Sequence, residues 1–159
     1  MSAQWTITDA VVDQSEGRGH RAEYSVIPEW PASHIPVACD WLDDVRRQLQ
    51  AIAALPAGWD SYGSPSPDVR VLEAAWGLLL CLCQAEGFPK PHVNPTPRGG
   101  VQFEWESGDR YFEIEVLTER AATYLYCDEA ARTEEAGEVF EGKSLEPVLG
   151  YIRRVVAVQ

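Results

Sequence analysis

The stretch VQFEWESGDRYFEIEV, residues 101–116, decides the fold. Val101, Phe103 and Trp105 alternate with Gln102, Glu104 and Glu106. Beyond the turn, Phe112, Ile114 and Val116 alternate with Tyr111, Glu113 and Glu115. A period of two gives a strand one buried and one wet face. Gly108-Asp109 supplies a two-residue turn, because glycine takes positive φ without a Cβ clash. That turn pairs Ser107 with Arg110. Counting outward, Trp105 faces Phe112, Phe103 faces Ile114 and Val101 faces Val116. Every apolar residue falls on one face, so pattern and turn predict the same register. The register also sets Glu104 opposite Glu113, with Glu106 and Glu115 on the same face. Like charges opposed across two strands cost a few tenths to about 1 kcal/mol.

The acidic face has two readings: a solvated outer face, or a docking face for a basic partner or a divalent cation. Four glutamates on adjacent strands lack the carbonyl and amide ligands of a typical cation cage. A basic protein partner therefore ranks ahead of a metal.

Working outward, residues 37–55 read as a helix, with Leu42, Val45, Leu49 and Ile52 recurring at three-to-four spacing. Asp40, Asp43 and Asp44 suit its N-terminal dipole. The loop LPAGWDSYGSPSP, residues 55–67, follows. It holds Trp59, Asp60 and Tyr62 between glycines. Two roles are open to it. In one, Trp59 plugs the core and Asp60 bonds backbone amides of the turn. In the other, Trp59, Asp60 and Tyr62 form a binding surface, since loops carry function and Trp and Tyr are favoured anchors. Ser66 as N-cap and Pro67 as first helical residue predict a second helix over 67–86, apolar nearly all round and ended by Gly87. The prolines of FPKPHVNPTPRGG, residues 88–100, predict an extended run along a sheet edge. Residues 122–127 read as a third strand, 128–137 as a charged loop and 138–141 as a short fourth strand. A last helix is capped by Ser144 and carries Leu145, Val148, Leu149, Ile152, Val155 and Val156 on one stripe.

The expected fold is therefore α+β: an antiparallel sheet of about four strands around the 101–116 hairpin, packed against two or three helices. Residues 37–159 make one domain. Residues 1–36 form an additional hairpin or an arm, with Trp5 and Ile7 in one strand, Ala22, Tyr24 and Val26 in another, and Pro28, Pro31 and Pro36 after them.

The 159 residues suffice for one ordinary core. Net charge is −12, and residues 102–147 hold 13 Asp/Glu against 4 Lys/Arg. Such a surface repels phosphate backbones and anionic membranes, which argues against direct nucleic-acid or membrane binding. The apolar run 74–83 is too short to span a bilayer. Cys39, Cys81, Cys83 and Cys127 form no CxxC pair, and MSAQWTITD has neither the basic region nor the apolar core of a secretory leader. Free thiols in a reducing cytoplasm are expected.

The loop LPAGWDSYGSPSP, the segment HVNPTPRGGVQFEWE and the strand YFEIEV together resemble a widespread family of small bacterial proteins of unassigned activity. The shared pattern is a Gly/Asn-Trp-Asp-x-x-Gly-x-x-Pro loop, a helix, a Pro-Thr-Pro-x-Gly segment and a Leu/Phe-Glu-Trp strand. The resemblance covers residues 55–116. It implies a bacterial cytosolic α+β protein and no particular reaction.

Catalysis needs a nucleophile–base pair, a carboxylate pair or a metal site. His20, His34 and His92 lie in loop-like segments, and no GxSxG, HExxH or phosphate-cradling loop occurs. Nothing in the sequence joins Asp60 to Glu104 and Glu113. No catalytic residue, metal ligand or cofactor is assigned. The leading expectation is a protein-binding module, antitoxin- or immunity-like, with a basic partner and with self-association left open. Its binding residues would be Trp59, Asp60, Tyr62, Glu104, Glu106, Glu113 and Glu115. The alternatives are a nucleic-acid-mimicking inhibitor, and an enzyme or small-ligand binder that uses the Trp59 loop.

Overall fold

The hairpin forms in the register its pattern requires. Val101 pairs with Val116, Phe103 with Ile114, Trp105 with Phe112, Glu104 with Glu113 and Ser107 with Arg110. The structure, a computed structural model, describes residues 39–140 and 144–157. The segment expected to form an N-terminal hairpin or arm lies outside them. In chain order the elements are α1 (Leu42–Ala53), α2 (Val69–Leu82), β1 (His92–Pro95), β2 (Val101–Ser107), β3 (Arg110–Val116), β4 (Ala121–Asp128), β5 (Thr133–Phe140) and α3 (Glu146–Val156). The strands lie in the order β1-β2-β3-β4-β5, each antiparallel to the next. The class is α+β as expected, with five strands rather than about four.

All three helices pack on one face of the sheet: α1 on β1, and α2 and α3 on β2 and β3. The predicted stripe of α1 is buried throughout. Helix α2 buries Val71, Leu72, Ala75, Trp76, Leu78, Leu79 and Leu82, because it packs against both α1 and strands β2 and β3. Helix α3 buries Val148, Ile152 and Val155. These side chains meet Val101, Phe103, Trp105, Phe112, Ile114 and Val116. Phe103 and Phe112 are fully buried, each worth roughly 1.5–3 kcal/mol relative to exposure. An aromatic chain crosses the core from Trp41 through Phe88, Trp105 and Phe112 to Tyr151, with centroid separations of 5.6–6.2 Å. The Trp105 indole N–H donates to the Pro89 carbonyl at 3.1 Å, so its burial leaves no unmet donor.

Three local expectations are corrected. The N-cap of α2 is Asp68, not Ser66: its backbone is extended and its carboxylate accepts the Arg70 amide at 2.9 Å. The helix therefore starts at Val69, with Pro67 ahead of it. It ends at Leu82, and Gly87, at φ +68, closes a separate turn further on. The segment read as a charged loop over 128–137 is mostly strand. Its turn is only 129–132, where Arg132 takes φ +54, and β5 runs eight residues beside β4. Thr133, Glu134, Glu135, Ala136 and Glu138 are all exposed, so β5 carries polar residues on both faces and no period-two signal. Such charge suits an edge strand, where it discourages pairing with other chains. Ser144 does accept the Glu146 amide, at 3.3 Å, one position ahead of the cap residue Leu145. Among the described residues no helix is long and apolar enough to cross a membrane.

Candidate functional site

The Trp59 loop is wired to itself. The Gly58 amide donates to the Ser64 carbonyl at 2.7 Å, and the Ser61 amide to the Gly58 carbonyl at 2.9 Å. Gly58, Ser61 and Gly63 all take positive φ, which costs an L-residue such as Ser61 roughly 1–2 kcal/mol. Asp60 compensates. Its carboxylate accepts the Tyr62 amide at 3.0 Å, the Ser64 amide at 3.2 Å and the Ser64 hydroxyl at 2.5 Å. The Ser64 hydroxyl, then these amides, hold the Asp60 carboxyl below its ordinary range. Asp60 therefore holds the loop, as the first of its two readings anticipates. Trp59 is half-buried, and its indole nitrogen is shielded without a hydrogen-bond partner among the described residues. Tyr62 is 94% exposed at the tip.

This loop abuts the turn between β1 and β2, so two motifs some thirty residues apart form one corner. The Thr96 amide donates to the Gly100 carbonyl and the Gly99 amide to the Thr96 carbonyl, both at 3.0 Å. The Gly100 amide donates to the buried Thr96 hydroxyl at 3.1 Å. The Asp68 amide donates to the Gly99 carbonyl at 3.3 Å. A Cβ on Gly99 would stand 3.1 Å from the Pro65 ring, and one on Gly100 only 2.4 Å from the Val116 carbonyl oxygen. The Pro-Thr-Pro-x-Gly segment is thus a packing device, with glycine required at 99 by its positive φ and at 100 by close backbone approach.

Arg98 projects from the same turn and pairs with Glu115 on β3, which joins the corner to the acidic face of the sheet. That face is the one opposite the helices. Its rows read Glu106–Tyr111–Cys127–Glu134, then Glu104–Glu113–Leu125–Ala136, then Gln102–Glu115–Thr123–Glu138. Glu134 and Glu138 were missed from the sequence because β5 itself was misread, so the face holds six carboxylates rather than four. The opposed pair is relieved by neutral donors. Asn94 donates to Glu104 at 3.2 Å, while Gln102 and the Tyr111 hydroxyl both donate to Glu113. Burial, followed by the Glu113 bond and charge, pushes the Tyr111 phenol well above its ordinary range. Leu125 and Cys127 are half-buried between the carboxylates.

Among the described residues no group of three or more His, Cys, Asp or Glu is placed to hold a metal ion. His92 is exposed on β1 opposite Glu104, and His20 and His34 lie outside the described residues. Asp60 is engaged in its own loop, whereas Glu104 and Glu113 bond to neighbours on the sheet. Comparison with protein-family profiles, with curated proteins and with solved structures finds no match for this chain.

Proposed function

We propose that this is a small acidic protein-binding module that docks a basic partner on the open face of its sheet, in the manner of an antitoxin or immunity protein. A bacterial cytoplasmic setting is part of the proposal and rests on the family resemblance. The observation that supports it most is the clustering of Glu104, Glu106, Glu113, Glu115, Glu134 and Glu138 on the sheet face that none of the described helices covers. Three of these carboxylates are oriented by bonds from Asn94, Gln102, Tyr111 and Arg98. Side chains held in place before binding lose less freedom when a partner arrives.

Size is consistent with this role. Five strands about 4.8 Å apart and seven residues at about 3.4 Å each give a face of roughly 550 Å². A stable interface buries about 800 Å² per partner. The adjoining corner, with Tyr62 at its tip, supplies the remainder, and an exposed tyrosine on a rigid loop suits an anchor.

The test is capture of partners from the native host at low and high salt with three baits: the parent chain, Glu104→Lys/Glu113→Lys, and Tyr62→Ala. The expected outcome is one stoichiometric partner for the parent, weakened by salt and lost with the charge-reversed bait. Undiminished capture of the same partner by a correctly folded charge-reversed bait refutes the assignment of the face.

A further inference from the structure

The sheet ends in two unlike edges. Strand β1 is four residues long and ends at Pro95, which has no amide hydrogen. Strand β5 is eight residues long, holds no proline and pairs residue for residue with β4 without a bulge. Among the described residues β4 is its only strand neighbour. The register tells which backbone groups of β5 are spare, because antiparallel ladders alternate bonded and non-bonded pairs. The Gly108-Asp109 turn closes on Ser107 and Arg110, so even-numbered β3 residues bond to β2 and odd-numbered ones to β4. The Glu129 amide, donating to the Asp109 carbonyl at 2.9 Å, continues that odd series. Tyr111, Glu113 and Glu115 thus bond Cys127, Leu125 and Thr123. On the far side of β4, Ala122, Tyr124, Tyr126 and Asp128 bond Val139, Gly137, Glu135 and Thr133. Glu134, Ala136 and Glu138 therefore turn their N–H and C=O groups outward, and none of these groups bonds elsewhere among the described residues.

Edges are usually closed by short length, proline, a bulge or charge, and β5 has only charge. Glu134 and Glu138 flank Ala136 on the open face, all three are exposed, and neither carboxylate is ion-paired among the described residues. Glu135, on the helix side, is already engaged by the Tyr151 hydroxyl at 2.5 Å and the Arg154 guanidinium at 3.9 Å. A second copy of β5 centred on Ala136 would set Glu134 against Glu138 twice, and like charges opposed across strands repel. A strand with Lys or Arg at i and i+4 and an apolar residue at i+2 turns both repulsions into attractions, since those three positions line one face. We propose that β5 is a strand-addition edge, on which the basic partner lays an extended segment of pattern basic-x-apolar-x-basic as a further strand. Its backbone bonds Glu134, Ala136 and Glu138, and its two cations meet Glu134 and Glu138. The inference rests on the binding reading for the partner's charge and adds how the partner is held. Ladder bonds give such a complex affinity, and alternate side chains give it specificity.

The probe is the capped peptide TKTVTKT, with TTVKKTT as a control of equal composition and charge. Backbone amide exchange of the isotope-labelled full chain is followed by NMR at low salt. Exchange at Glu134, Ala136 and Glu138 should be fast in the free chain and slow roughly tenfold with TKTVTKT but not with TTVKKTT. Proline at 136 removes an outward N–H and no bond to β4, so Ala136→Pro should keep the β4–β5 ladder and abolish the slowing at Glu134 and Glu138. Undiminished slowing in that variant overturns the proposal. Slow exchange at the three amides of the free chain also overturns it, because this chain or a second copy then already holds the edge. Peptide-induced shifts confined to Glu104 and Glu113, with β5 exchange unchanged, overturn it too and leave the basic-partner reading standing. Absence of any response to TKTVTKT overturns it likewise, and capture from the host then decides the binding reading by itself.

Discussion

Replacing Gly100 with alanine puts a methyl group where the structure has no room for one. The new Cβ would stand 2.4 Å from the Val116 carbonyl oxygen, 2.8 Å from the Leu117 side chain and 3.1 Å from the Thr96 hydroxyl. The closest atom is backbone at the last rung of the β2–β3 ladder, where Val101 pairs with Val116. Relief requires a shift of roughly 1 Å, and inserted methyl groups in tight sites cost about 1–3 kcal/mol. The shift also strains the Gly100 bonds to the Thr96 hydroxyl and amide, each worth about 1 kcal/mol. Against this, alanine stabilises by about 0.4–1 kcal/mol through the unfolded chain. The net expectation is a loss of about 2–3 kcal/mol, or roughly 4–12 °C in Tm for a chain of this size. Urea unfolding followed by tryptophan fluorescence measures it, with Gly108→Ala as control. Gly108 has φ +59 but open space around its Cβ position, so that change costs only about 1–2 kcal/mol. If Gly100→Ala is no more destabilising than Gly108→Ala, the close-packed corner is wrong.

Arg110 bonds Asp128 at 3.0 Å and the Arg154 carbonyl at 2.8 Å, tying the hairpin to the end of α3. Arg110→Ala should lower the urea midpoint, and Arg110→Lys should not restore it, because one ammonium cannot reproduce the guanidinium fork. Asp60→Asn should destabilise the chain at neutral pH and leave it equal to the parent in strong acid. The folded-state pKa of Asp60 is depressed, so its contribution is present above the ordinary carboxylate value near 4 and is lost as pH falls through the folded value; urea midpoints across the acid range test this. The Tyr151 phenol is pushed up to about 12 by its hydrogen bond to Glu135 and then by burial. In an ultraviolet titration of the folded protein, Tyr151→Phe should remove one phenol that ionises near that value.

What the sequence revealed followed local periodicity. The β2–β3 register was legible because apolar residues alternate over seven positions on each side of a glycine turn. The α1 stripe was legible because four apolar residues recur on one side of an otherwise polar helix. Strand β5 was legible only at its end, as the short strand expected from 138, because its exposed Glu134 and Glu135 look like loop until β4 is in place beside them. The cap of α2 was misassigned because Ser66 and Asp68 are both good caps, and the choice fell to Asp68, whose carboxylate accepts the Arg70 amide. The corner formed by Pro65 and Gly99 joins residues far apart in sequence, so no local pattern announces it.

Helix α2 also bears on how the chain is made. It leaves the ribosome before any of the strands it covers, since β2 begins at Val101 and β3 ends at Val116. A helix that buries seven residues, in part against later neighbours, has until then only α1 among the described elements to lean on. The 34 residues from Leu82 to Val116 take roughly 2–7 s to synthesise at about 5–20 residues per second. For that interval the nascent chain displays Trp76, Leu78, Leu79 and Leu82 to whatever is nearby. Translation speed between α2 and β3 thus becomes a determinant of yield: nascent chains stalled with Val116 still inside the ribosome should recruit a chaperone, and those stalled well beyond it should release one.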